Sequence, residues 1–372
     1  MKRRTVLILS VLWTVLLVVL LGSCSKVGIG RVVTSTYDIT DEIKDVTVSI
    51  VTTDINILPS EDGKIRVVCV ENSLLKNEVS VSNGVLKVYR EKHDSGWLET
   101  FAKDDNNSVT VYLPVASYGD LSLGATTGDV SVGSGLSFDS FAVDNTTGDI
   151  SVSGVVVVGD ARIKVTTGNI TLDNFSAASL LLNGTTGDQS LSRVATVGDV
   201  TLENSTGDVT LSGVSAGGSI GAKVTTGDVL FGEVATAGGI TVDGSSGTKT
   251  YESVICGGEL YSKTTTGASI LRGVDCASLT VNSTTGTVTL ADVIAAGLIK
   301  VDVGSGGVVL EASDAPEFDI KCTTGGVRGT ILSSKVFMPD TTTGDVKVPY
   351  GTSGGTFKVK TTSGDIEIEV LN

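Results

Sequence analysis

The residues of this chain best placed for chemistry are five carboxylates and one amide, Asp129, Asp149, Asn169, Asp188, Asp208 and Asp228, which recur every 19 or 20 residues just behind a glycine. If each spacing is one coil of a stack, neighbouring carboxylates lie about 5 Å apart and repel by roughly 1 kcal/mol in water. A divalent cation would relieve that repulsion. Calcium-binding solenoids, however, complete their coordination shell with the carbonyls of a short glycine-rich repeat that the longer unit here lacks. Aspartate in a turn ordinarily accepts hydrogen bonds from nearby backbone amides, so turn chemistry is the expected role and no metal site is assigned.

Other reactive side chains are sparse. His93 is the single histidine, which excludes a His-rich metal site and leaves no Ser-His-Asp or Cys-His arrangement that does not pass through it. It lies in the irregular stretch REKHDSGWLETFAKDDNNS with Trp97 and Phe101. Two readings stand for this loop: a partner-binding site carried by His93, Trp97 and Phe101, or a plug in which Trp97, Leu98 and Phe101 close the end of a core. Cys256 and Cys276 occupy the same place in adjacent units, VICGGEL and VDCASL. Stacking would put their Cα atoms about 4.8 Å apart, within disulfide range; the alternative is two reduced thiols filling a core column. Polysaccharide-cleaving solenoids need clustered Asp, Arg or Lys and sugar-stacking aromatics, whereas this chain offers mostly Thr, Ser and Gly. Ice binding would call for Thr-x-Thr, where this repeat has Thr-Thr. No catalytic residue, cofactor or enzymatic activity is expected.

The net charge of −15 and the lack of Lys/Arg clusters after Arg4 argue against nucleic acid as a partner. The first 24 residues differ from the rest: a basic start MKRR, an apolar run from Thr5 to Leu21, then LLGSC. Leu20, Leu21, Gly22 and Ser23 ahead of Cys24 match a bacterial lipobox, with Cys24 as the acylated residue after cleavage. An uncleaved signal anchor is the competing reading. Either places Lys2, Arg3 and Arg4 in the cytoplasm and the remainder outside, held at the cell envelope by lipid or leader.

These residues are positioned by a repeat. Gly128, Gly148, Gly168, Gly187, Gly207, Gly227, Gly247, Gly267, Gly286, Gly306, Gly325, Gly344 and Gly364 are spaced 19 or 20 residues apart, each preceded by Thr or Ser. A period held that tightly means a solenoid with one coil per repeat. Four residues after the glycine an apolar column runs from Val132 to Ile368, interrupted by Gly329; seven before it another runs from Leu121 to Phe357. Each coil therefore offers two main period-two strands and a corner marked by pairs such as Gly213 and Val214. About thirteen coils at ~4.8 Å make a rod on the order of 60 Å long. Thr248, Ala268, Thr287, Gly307 and Gly326 replace the Asp in the middle of the rod. Gln189, Lys249 and Ser269 fall in an inward column, which predicts local distortion or partial opening there, with Lys249 reaching solvent.

TTGDV, TTGDI and STGDV turns, the segment DVTVSIVTTDINILPSEDGKIRVVCVE and the strand ending YLP at Pro114 resemble a bacterial family of β-strand repeat proteins assigned as adhesins and known as domain of unknown function 4097. The resemblance covers roughly residues 40 to 370. It implies a surface-located, right-handed parallel β-solenoid and supplies no site residues. The expected organisation is a signal peptide, lipobox or anchor over 1–24, an N-terminal β cap over 25–118, in which VTTDINI is a degenerate first turn, and the all-β solenoid over 119–372. The expected function is that of a surface module binding an envelope protein or glycan, or else a passive scaffold.

Overall fold

Alternation of apolar and polar residues selects strands, and short turns at fixed spacing force them to stack. The computed structural model of the protein describes residues 31–90 and 107–371; the leader with Cys24 and the loop with His93, Trp97 and Phe101 lie outside them. Among the described residues there is no helix, and thirty-four strands form one continuous sheet.

The Gly227 coil shows the unit. Strand Ile220–Thr226 leads into the TTG turn, Val229–Gly232 follows, and a short third strand, Ala235–Thr236, closes the coil. Ile220, Ala222, Val224, Val229, Phe231 and Val234 point inward and are buried. Each strand pairs in parallel with its counterpart one coil away, Val224 with Gly244 and Phe231 with Tyr251. The result is a parallel β-solenoid of about thirteen turns with a continuous apolar core. The coil has three sides rather than two strands and a corner. At the join of the second and third sides, six coils carry a non-glycine in the left-handed region, Asn174, Arg193, Glu233, Ser253, Asp292 and Ala312, with Gly154, Gly213 and Gly273 at every third coil. The sequence shows that corner only in the coils that keep glycine, as at Gly213, because elsewhere a polar or small residue takes the same conformation at modest strain.

Both ends of the stack depart from chain order. Asp45–Thr52 and Asp54–Pro59 lie directly beneath the Gly128 coil, with Thr52 opposite Thr127 and Ile55 opposite Val130. Val85–Tyr89 and Ser108–Leu113, which come later in the chain, stack beneath them in turn. Antiparallel strands lie against that outermost layer: Glu78–Ser82 on Val85–Tyr89, Ile65–Asn72 on Ser108–Leu113, and Val32–Ile39 on Ile65–Asn72. At the other end the last coil of the sequence inserts one layer early. Phe357 pairs with Phe318 on one side and Phe337 on the other, so the Gly364 coil lies between those of Gly325 and Gly344.

Candidate functional site

The TTG turns are built around stacked glycine carbonyls. Gly227 has φ of +148°, and a Cβ on it would overlap the carbonyl oxygen of Gly207 in the coil beneath. Gly128, Gly148, Gly168, Gly187, Gly207, Gly344 and Gly364 share the positive φ and the same close approach to backbone. Glycine is thus required twice, by the dihedral and by the neighbour.

Behind each glycine, the aspartate bonds along the rod and not within its own turn. Asp149 N–H donates to Asp129 Oδ1 at 2.8 Å, Asp188 N–H to Asn169 Oδ1 at 2.8 Å, and Asp228 N–H to Asp208 Oδ1 at 2.8 Å. The series starts at Asp54, which receives Asp129 N–H, and ends at Thr248, whose N–H reaches Asp228. One oxygen of each carboxylate is therefore committed to an amide of the next coil. Thr226, the residue ahead of the glycine, is exposed.

The polar residues in inward columns are buried, which corrects the expectation of an opened column. Lys249 is fully buried, and its Nζ donates to Gly227 O at 2.9 Å. Gln189 and Ser269 are likewise buried, and pairing across Gln189–Val209 and Lys249–Ser269 stays in register. For Lys249 the reason lies in the glycine carbonyls, which leave acceptors facing the interior, whereas Gln189 Nε2 donates to Glu203 O and Ser269 Oγ has no partner. Asn145 Nδ2 donates to Gly128 and Gly148, Asn204 Nδ2 to Gly187 and Gly207, and Cys322 Sγ to Gly306. Burial nevertheless holds the Lys249 ammonium below its usual range, with Asp228 and Asp208 acting the other way.

Gly184 leaves room in the core for two amide side chains. It takes an inward position between Val165 and Asn204, and a Cβ there would come within 2.8 Å of both Asn204 Oδ1 and Gln189 Nε2. Above it lies an open groove of about 320 Å³ lined by Lys164, Asn183, Glu203 and Lys223 with the hydroxyls of Thr185, Ser205 and Thr225. Gln189 Oε1 and Asn204 Oδ1 are buried close by with no hydrogen-bond donor. Such a groove can take a polyhydroxylated ligand; its rim offers two ammonium groups and one carboxylate, with Lys164 3.8 Å from Asp144.

A second polar cluster escaped the sequence reading. Lys335 Nζ lies 2.7 Å from Asp314 Oδ1, Ser333 Oγ donates to Asp314 Oδ2 at 2.6 Å, and Lys335 also bonds Ser333. Lys335 lies within bonding distance of both partners, and the trio is an ion-paired tie. Cys256 and Cys276 stack in register as free, buried thiols; burial pushes Cys276 up to about 12.

A model of the Toastrack DUF4097 family matches residues 43–247 and 236–372. No curated protein matches the chain. Among solved structures, a putative adhesin from Bacteroides fragilis NCTC 9343 is 12% identical over 91% of this chain and 97% of its own, with a TM-score of 0.22. One from Parabacteroides distasonis ATCC 8503 is 14% identical over 91% and 98%, with a TM-score of 0.27. A putative lipid binding protein from the same organism is 12% identical over 90% and 96%, with a TM-score of 0.19. Likenesses of this degree carry no inference about function.

Proposed function

The chain belongs to the Toastrack DUF4097 family, and from that premise we propose that it is a non-enzymatic surface protein of the bacterial cell envelope, a binding module displayed on a β-solenoid. The observation that carries the binding role is the groove beside Gly184, whose rim brings two ammonium groups, one carboxylate and three hydroxyls together on the outer face. Its chemistry suits a hydroxyl-rich, anionic envelope component such as an acidic glycan. The loop with His93, Trp97 and Phe101 is the second place for a partner. Attachment through acylated Cys24 or the leader completes the reading; label from a fatty-acid analogue should disappear in Cys24→Ala.

A passive scaffold is the competing reading, favoured by the commitment of the repeated Asp and Asn side chains to the fold itself. Glycan-array screening and pulldown from envelope extract separate the two. The binding role requires a ligand whose retention falls in Lys164→Ala/Lys223→Ala or Trp97→Ala/Phe101→Ala at unchanged melting temperature. Absence of any ligand, or losses that track melting, leaves the scaffold.

A further inference from the structure

The third side of the coil differs from the other two. The first side carries a row in which Asp144, Lys164, Asn183, Glu203, Lys223, Asp243 and Lys263 follow one another in register. On the third side two outward rows run for eight coils, one from Val156 to Ile294 and one from Val158 to Ala296, and Asp275 is the single charged residue in them. They hold large exposed aliphatics, Val197 at 81%, Val158 at 67% and Ile255 at 62% exposure. This is an exposed apolar strip on an otherwise acidic, charge-laddered rod, the kind of surface that marks an interaction site.

We propose that the strip pairs two copies of this chain, side by side and antiparallel. The argument is self-complementarity. Turn one copy over about an axis lying in the strip, across the rod, between the Gly207 and Gly227 coils. Each row then meets its own counterpart in reverse order. Val197 falls on Gly257 of the second copy and Ile255 on Ala195, a large side chain on a small one in each case, while at the two ends of the strip Val156 and Ile294, both exposed, fall on each other. Asp275 falls on Ser176, whose hydroxyl can donate to the carboxylate. An isologous contact of this type closes on itself and stops at two chains.

Charge and area fit the same occupant. Two chains of net charge −15 repel over most of their surface, and this strip presents one carboxylate per copy. A bilayer is a poorer match, because the rows contain no Trp, Tyr, Lys or Arg to engage an interface. Eight coils at about 4.8 Å and a width of about 10 Å give on the order of 400 Å² per copy. The total of about 800 Å² places the pair among weak, reversible associations.

The test is thiol crosslinking between two differently tagged full-length copies expressed together. Ala195→Cys in one copy and Ile255→Cys in the other should give a disulfide-linked mixed dimer. Ala195→Cys paired with itself is offset by three coils, about 14 Å, which is beyond disulfide reach. The mixed pair should exceed that control about tenfold, and Val197→Asp in both copies should remove the product, since a carboxylate would be buried against Gly257. All three changes are at outward positions, and unchanged melting confirms the fold. A product as abundant in the self-pair, no product above the wild-type background, or adducts only with another protein would overturn the pairing.

Discussion

Asp228 Oδ1 accepts the backbone N–H of Thr248, on the next coil, at 2.7 Å. This bond lies alongside the parallel ladder and ties each turn to the one above it. Asn169 performs the same function with its amide oxygen. Asp228→Asn should therefore change stability by less than about 0.5 kcal/mol, whereas Asp228→Ala should cost about 1 kcal/mol. Hydrogen exchange would locate the effect: the Thr248 amide should lose protection in Asp228→Ala and keep it in Asp228→Asn. Equal loss in both would assign the ladder to the carboxylate's charge.

The glycines separate into two classes. Gly227→Ala forces a Cβ onto the Gly207 carbonyl at a positive φ, and neither backbone can yield without breaking the stack; the expected cost is at least about 2–3 kcal/mol. Gly221 sits mid-strand with open space around it and no positive φ. Gly221→Ala should be neutral or stabilising by up to about 1 kcal/mol. Melting curves of the pair decide it; similar losses at both sites would dispose of the carbonyl-stack explanation.

How much of this was legible in the sequence depends on the range of the contact. The TTG spacing and the columns through Phe231 and Ile220 announce a solenoid because period and alternation are local properties of the chain. The third side was read as a corner, since strands of two residues such as Ala235–Thr236 leave almost no periodic trace. Lys249 looks misplaced in an apolar column because the acceptor that needs it, the Gly227 carbonyl, is a backbone atom without a sequence signature. The charge row from Asp144 to Lys263 is readable in the sequence four residues before each glycine. The reversed layers at both ends could not be read, because the repeat gives the register of a coil and not its place in the pile.

Lys249 gives a pH signature. Burial lowers its folded-state pKa below the ordinary 10.5. Between that lowered value and 10.5 the unfolded chain binds more protons than the folded one, so stability rises with pH across this window and levels off above it. Lys249→Met should abolish the rise while leaving Gly227 O without its donor, a pH-independent loss of about 1 kcal/mol. Melting of both proteins from pH 7 to 11 tests this; parallel curves would mean the ammonium is not desolvated.

The reversed order at the C-terminal end predicts an unequal effect of truncation. Lys335–Thr343 and Val346–Lys347 pair with Gly355–Ser363 and Ile366–Val370, and those strands in turn pair with the Gly325 coil. Deleting residues 352–372 therefore removes a middle layer rather than the last one. Phe337 loses its contact with Phe357, the ring 5.4 Å away, and the Gly344 coil is left without its ladder partner. Nearest-neighbour stacking confines the damage to this end. Amide exchange in the truncated chain should show residues 335–347 unprotected along with the deleted coil, while strands up to Val301 keep their protection. Retained protection at 335–347 would mean that this coil stacks directly on the Gly325 coil in chain order, and the reversed arrangement would have to be abandoned.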